Sequence, residues 1–507
     1  MTRHREIERK FDVDPATPFP DLSGDNGAVS EAAESQLDAT YFDTTDAQLA
    51  KHRITLRRRT GGDDAGWHLK LPVGQDERNE IRLPLGRATR SVPAALAREV
   101  RALVRDRPLV PVAILHTRRV ERQLLDGDGN PLATLADDTV HAERLTGDAV
   151  EVSNWREVEV ELIEGDRSFL DAVGRRLRAA GLIPSASSSK LARVLGDLVA
   201  PTRTSVSGQA KSGRDTAGAV LHGHLQQQVD QLILRDRDAR ADAHDGVHRM
   251  RVAARRLRSA LATYRPLLDR ERTDPVRDEL KWLGQILGRS RDTEVLRRRL
   301  LDLVAAQPPE LVLGPVERRV DLELRARHRA ARAELLAVLD SDRYFRLLDA
   351  LDDLLDDPPL TARAGKPAHK HVPTLVGRAA RRVDRAARAV ANAPTTQARD
   401  EGLHEVRKSA KRARYAAESA TPLVGKPAKE LARRMTALQD VLGEHQDSVT
   451  ARALLLELAA AAHLSGENGF TFGLLHAQEH ARAKDARRAY GPALRKASTT
   501  KTRRWAR

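Results

Sequence analysis

The chain has 507 residues, too many for a single small module and enough for two to four cores at roughly 150 residues per domain. Lys and Arg number 87 against 72 Asp and Glu, a formal net charge of +15, and aromatic residues make up only 3%. The excess favours polyanionic partners, while the shortage of rings disfavours nucleic acid, whose unpaired bases stack on aromatic side chains. Cysteine is absent, which excludes disulfides, thiolate nucleophiles, Fe–S clusters and Cys-ligated zinc. The opening Met1-Thr2-Arg3-His4-Arg5-Glu6 leads straight into charge, and no run approaches about 18 apolar residues. Neither a secretory leader nor a membrane span is expected, and a cytoplasmic location is.

Residues 1–183 read as mostly β, short alternating segments separated by turn chemistry at Thr60–Asp64 and Asp126–Asn130. Such strands predict a barrel or sandwich, interrupted by helices at about 93–105 and 167–180. Residues 201–215 read as a flexible linker. From 216 to 507 Ala, Leu and Arg dominate and a helical unit is expected, broken at Pro308-Pro309, Pro358-Pro359 and about 362–373, with a frayed basic tail at Lys501–Arg504.

Successive strand residues face opposite sides, so Glu6, Glu8 and Lys10 share one face and Ile7, Arg9 and Phe11 the other. Alone, this is what a solvated edge strand looks like. The pattern recurs, however, with Arg57 and Arg59, with His68 and Lys70, with Arg78, Glu80 and Arg82, and with Glu157, Glu159 and Glu161 opposite valines. Clustered carboxylates suit a hard divalent cation, and clustered Arg and Lys suit phosphate oxygens. A closed sheet would set both around one cavity.

The ordered set Glu6-x-Glu8-x-Lys10, Tyr41-Phe42-Asp43-Thr44, Leu56-Arg57-Arg58-Arg59, Trp67-His68-Leu69-Lys70 and Glu157-x-Glu159-x-Glu161 resembles the CYTH family, the triphosphate tunnel metalloenzymes. The resemblance covers about residues 1–200. It implies an eight-stranded antiparallel β-barrel whose tunnel binds a triphosphate with Mg²⁺ or Mn²⁺. It assigns Glu6, Glu8, Asp137, Glu157, Glu159 and Glu161 to the metal, with Asp137 chosen from the pair Asp137-Asp138. It assigns Lys10, Arg57, Arg59, Lys70, Arg82, Arg118 and Lys190 to the phosphate chain, with Arg118 taken from the doublet Arg118-Arg119. Glu6, Glu8, Lys10, Lys70 and Glu159 form the expected catalytic set.

In the second half, His248-Arg249-Met250-Arg251-Val252-Ala253-Ala254-Arg255-Arg256-Leu257-Arg258 recurs as His404-Glu405-Val406-Arg407-Lys408-Ser409-Ala410-Lys411-Arg412-Ala413-Arg414. Leu283–Asp292 likewise recurs as Leu438–Asp447, so two related helical halves are expected, about 216–357 and 372–500. At 3.6 residues per turn, His248, Arg251, Arg255 and Arg258 fall within an arc of about 80°. Met250, Ala254, Leu257 and Leu261 form a separate apolar face. His404, Arg407, Lys411 and Arg414 repeat the basic stripe, and Val406, Ala410, Ala413 and Ala417 the apolar one. A single basic stripe is usually a solvated face; two at matching positions point to a ligand.

This half resembles the CHAD domain, which implies two pseudo-symmetric helical bundles binding inorganic polyphosphate through these eight residues, with Asp292 and Asp447 orienting nearby arginines. Together the two resemblances imply a metal-dependent triphosphatase acting on inorganic triphosphate, cytoplasmic or at polyphosphate granules. A non-catalytic polyphosphate scaffold, a thiamine triphosphatase and an adenylate cyclase are the alternatives. Three further patterns carry no function: His476-x-x-Glu479-His480 lacks the rest of a zinc site, Asp126-x-Asp128-x-Asn130 reads as a hairpin turn because Pro131 replaces the turn glycine, and the basic run Arg378–Arg388 reads as a repeat helix.

Overall fold

The computed structural model describes residues 2–22, 28–74, 76–86, 91–146, 150–199 and 216–506; the expected linker at 201–215 lies outside them. The chain divides into two compact units, Met1–Thr202 and Arg203–Arg507.

The first unit is built on strands β1 (Thr2–Val13), β2 (Ala33–Asp43), β3 (Thr55–Thr60), β4 (Gly66–Gly74), β5 (Glu77–Leu83), β6 (Val110–Leu125), β7 (Pro131–Arg144), β8 (Glu151–Leu162) and the short β9 (Ile183–Pro184). The order β5-β4-β3-β2-β6-β7-β8-β1, with β5 also paired to β1, closes an eight-stranded barrel, all antiparallel. Strand β1 makes the closure by dividing its length. Thr2–Ile7 pair with β5 and Glu8–Val13 with β8, while β9 joins β1 beside Phe11.

Among the described residues, five α-helices decorate the barrel: α1 (Gln48–Lys51), α2 (Ala94–Glu99), α3 (Arg101–Val104), α4 (Arg167–Ala179) and α5 (Lys190–Leu195). The helix expected at 93–105 is thus two short ones. The motif aspartate Asp43 is structural: fully buried, it accepts from the backbone N–H of Thr44, Leu49 and Ala50 at 2.7, 2.8 and 2.9 Å and organises the turn into α1. Helix α4, capped by Asp166 on Phe169 N–H, lays Leu170, Val173 and Leu177 over the outward residues Phe11, Leu135, Val158 and Val160. Each such buried side chain contributes about 1.5–3 kcal/mol. Helix α5, capped by Ser189 on Ala192 N–H, packs Leu191, Val194 and Leu195 among the inward-facing Ala39, Tyr41, Leu115, Val140 and Trp155. It plugs one end of the barrel with apolar side chains.

The second unit is helical: α6 (Ala217–Arg240), α7 (Gly246–Thr263), α8 (Arg270–Ala305), α9 (Val316–Leu339), α10 (Asp342–Asp356), α11 (Ala368–Ala391), α12 (Thr396–Ser419), α13 (Thr421–Val424), α14 (Lys426–Leu464), α15 (Phe470–Ala497) and α16 (Thr500–Arg503). Helices α6 to α9 and α11, α12, α14 and α15 repeat one four-helix order, each helix packed on the next. The apolar stripes behave as their spacing requires: Met250, Ala254, Leu257, Leu261, Val406, Ala410, Ala413 and Ala417 are all buried. The two halves meet along α7 and α12, where the Tyr264 hydroxyl is 3.0 Å from Ser419 Oγ and Arg256 pairs with Glu418 at 2.9 Å.

The chain end differs from the frayed tail expected of it. Arg503 pairs with Asp384 at 2.7 Å and Ala506 is buried against α11. There Gly377 admits the backbone: a Cβ at that position would collide with the Ala506 carbonyl. These two long-range contacts hold the segment in place.

Candidate functional site

Strand alternation turns one face of each barrel strand inward, and beyond the apolar side chains of α5 those faces carry charge. The cavity is lined by six carboxylates, from Glu6, Glu8, Asp64, Glu80, Glu159 and Glu161. Eight cations join them, from Lys10, Arg57, Arg59, Lys70, Arg78, Arg82, Arg119 and Lys190. Many of these opposite charges are paired. Lys70 lies 2.7 Å from Glu6, Arg78 lies 3.4 Å from Glu8, Lys10 contacts Glu159, and Arg59 contacts Asp64. These ion pairs leave about 60 Å³ of free space.

Burial this deep costs charged groups their hydration, and the partners decide which stay ionised. Burial would raise Glu8, but Lys10 and Lys70 outweigh it and bring the carboxyl down to about 2. In Glu161 burial wins, reinforced by Glu6, and the carboxyl rises to about 7. Arg59 is lowered to about 9 by burial and by Arg57. His68 falls to about 4 through burial, against the pull of its 2.7 Å bond to Glu80.

Across the cavity lies a denser cluster. Asp138, Glu157 and Glu159 each place one carboxylate oxygen within 4.8 Å of the other two. Arg119 grips Asp138 with two bonds, 2.7 and 2.8 Å, and reaches Glu159 at 3.0 Å. Lys190 lies 2.9 Å from Asp138 and 2.7 Å from both glutamates. The Trp155 indole N–H donates to Glu157 at 2.6 Å.

The predicted residues Glu6, Glu8, Lys10, Arg57, Arg59, Lys70, Arg82, Glu159, Glu161 and Lys190 therefore line one cavity, and Glu157 stands behind it in contact with Lys190. Two assignments are displaced by one residue. Arg118 points outward to Glu34 at 2.6 Å, and Asp137 points outward to Arg156 at 2.8 Å. Their neighbours Arg119 and Asp138 take the inward positions, because β6 turns Leu115, Thr117 and Arg119 inward and β7 pairs Asp138 with Arg119. Arg78, Glu80 and Asp64 join the lining beyond the expected residues; for the first two, alternation with Arg82 is the signal in the sequence.

In the helical unit the two basic stripes converge. A cavity of about 600 Å³ is lined by Arg255 and Arg258 of α7 and by His404, Arg407 and Lys411 of α12. Arg277 and Lys281 of α8, Arg382 of α11 and Arg412 of α12 complete a wall that holds ten Lys and Arg against one carboxylate, Asp278. An adjoining cavity of about 490 Å³ adds Arg251. Each half sets an arginine over a glycine. Arg251 lies over Gly288, where a Cβ would sit 3.1 Å from the guanidinium, and Arg407 lies over Gly443 at 3.6 Å. Asp292 holds Arg251 at 2.6 Å, as expected. Its counterpart Asp447 makes no such pair among the described residues; burial raises its carboxyl against the opposing charge of Arg407.

Two of the eight stripe residues line neither cavity. His248 is exposed, and Arg414 stacks on Tyr415 and pairs with Glu418 at 3.2 Å. Lys411 is lowered to about 6 by burial and by Arg255, Arg407, Arg251 and Arg414. In the His476–His480 pattern, Glu479 is held by Arg299 at 2.7 and 2.9 Å.

A closed barrel with an interior of interleaved acids and bases, followed by a duplicated helical unit with a cationic cavity, defines a tunnel-barrel protein with an appended basic helical domain. The chain belongs to the proteins that join a CYTH domain, matched over residues 4–195, to a CHAD domain, matched over residues 223–456. Two curated Mycobacterium tuberculosis proteins, the uncharacterized proteins MT2285 and Rv2226, are each 40% identical to it over 97% of this chain and 96% of theirs. Among solved structures, PptA from Streptomyces chartreusis is 23% identical over 55% of this chain and 99% of its own, with a TM-score of 0.47. The CHAD domain from the plant Ricinus communis is 27% identical over 55% of this chain and 92% of its own, with a TM-score of 0.43. CYTH domains are metal-dependent and are typically triphosphatases or cyclases. Among the described residues no helix is long and apolar enough to cross a membrane.

Proposed function

We propose that the barrel hydrolyses inorganic triphosphate with Mg²⁺ or Mn²⁺ and that the helical unit binds polyphosphate. The observation that carries the reading is the barrel interior, where eight cations and six carboxylates share one cavity. A cavity of cations alone would hold phosphate without a place for the metal that hydrolysis needs.

The donor set is all oxygen, which fits a hard divalent cation. Asp138, Glu157 and Glu159 have the spacing of ligands to one ion, and Glu6, Glu8 and Glu161 supply further oxygens across the cavity. Held there, such an ion would supply charge neutralisation at phosphoryl oxygens and a water of lowered pKa. Lys10, Arg57, Arg59, Lys70, Arg82, Arg119 and Lys190 hold the phosphate chain, exchanging internal carboxylate partners for phosphate oxygens. Arg57 is oriented for this by the Tyr41 hydroxyl at 3.3 Å. In the helical unit, the cavity wall with ten cations and one acid supports a longer phosphate chain.

The test is phosphate release from triphosphate, ATP, thiamine triphosphate and long-chain polyphosphate, each with Mg²⁺ or Mn²⁺. Triphosphate is expected to be turned over fastest. Changing Glu6→Gln together with Glu8→Gln is expected to lower that rate by about a hundredfold or more. Full activity in that variant would refute the reading, and binding without turnover at any metal concentration would establish the scaffold instead.

A further inference from the structure

Lys190 occupies an unusual place. It is the first residue of α5, whose apolar side chains anchor it in the barrel end. Its ammonium has three N–H donors and three carboxylate partners, Asp138 at 2.9 Å and Glu157 and Glu159 at 2.7 Å. Those are the three groups whose oxygens have the mutual spacing of ligands to a single ion. A divalent cation bound by them would sit about 2.0–2.6 Å from the same oxygens. The ammonium and the ion would then overlap in space and repel.

We propose that Lys190 acts as a built-in counter-ion, standing in for a divalent cation at Asp138, Glu157 and Glu159 and leaving them when a cation binds. The displaced ammonium, on a flexible four-carbon stem, then turns into the cavity it already lines and meets phosphate oxygens. One residue thereby makes the phosphate grip conditional on the metal. The inference rests on the metal-bound reading of the barrel but not on turnover.

The experiment titrates Mn²⁺ alone into the full-length protein, substrate absent, and follows binding calorimetrically and by thermal melting. Lys190→Met is expected to bind Mn²⁺ about tenfold more tightly than the unaltered protein. In EDTA it is expected to melt at a lower temperature, because three buried carboxylates lose their counter-ion, and Mn²⁺ is expected to restore the loss. Lys190→Arg, which keeps the charge, is expected to bind Mn²⁺ no more tightly than the unaltered protein. Equal or weaker Mn²⁺ binding by Lys190→Met overturns the inference, as does no Mn²⁺ binding by either protein. Triphosphate hydrolysis by the unaltered protein, with equal Mn²⁺ affinity in Lys190→Met, would sink the counter-ion role while sparing the triphosphatase; no hydrolysis by the unaltered protein, with tighter Mn²⁺ binding in Lys190→Met, would do the reverse.

Discussion

Lys411 sits in a cavity wall of arginines, and burial together with Arg255, Arg407, Arg251 and Arg414 lowers it to about 6. A phosphate chain in that cavity favours the charged form, so binding takes up a proton. Polyphosphate affinity is therefore expected to rise as pH falls from 8 toward 6, by up to about tenfold per unit for one coupled proton, and to level off below. Lys411→Arg is expected to flatten that slope in binding titrations at fixed ionic strength; an unchanged slope would exclude Lys411 as the group. Without ligand the sign is also fixed. The folded chain binds fewer protons here than the unfolded one between about pH 6 and the ordinary lysine value, so this residue makes the fold less stable as pH falls through that window. At this scale the sequence was legible wherever a charged residue stood alone among apolar neighbours, as in Glu6-x-Glu8-x-Lys10. It failed at doublets. Arg118-Arg119 and Asp137-Asp138 offer the same chemistry on both faces, and α4 covers the outside of β7, so Leu135 outside and Val140 inside are both apolar.

Helix α5 does more than close the barrel, since the same short element carries Lys190. Leu195→Ala, at a fully buried position, is expected to cost about 2–5 kcal/mol in urea unfolding. In α14, Gly443 tests a different idea. Its Cβ would meet Arg407 at an ordinary contact distance, 3.6 Å, so Gly443→Ala is expected to stabilise the helix by about 0.5–1 kcal/mol. If it instead destabilises, Arg407 needs more room than its present path over the helix provides. The elements themselves were readable because the repeat is written in apolar spacing. The helix at the chain end was not, because Arg503 and Ala506 are held by Asp384 and Gly377, far away in sequence.

For the whole molecule, the net charge of +15 has a local counterpart in the helical unit's cavity wall, where ten Lys and Arg face one carboxylate. Polyphosphate binding is expected to weaken steeply with salt, the slope of log K against log salt shrinking by about 0.7 for each phosphate contact removed, by analogy with single strands. A triple Gln variant at Arg255, Arg407 and Lys411 measures this directly; an unchanged slope would place the chain elsewhere on the surface. The two basic stripes were legible in the sequence. Arg277, Lys281 and Arg382 were not, because they come from α8 and α11, and only the packing of those helices brings them to the stripes.

The bond from Trp155 to Glu157 has an optical consequence. The chain has four tryptophans, and this indole donates directly to a carboxylate that Lys190 also holds. Any ion that draws Glu157 toward itself changes the polarity and hydrogen bonding of that ring. Its fluorescence is therefore expected to report cation binding to this cluster directly, with no added dye.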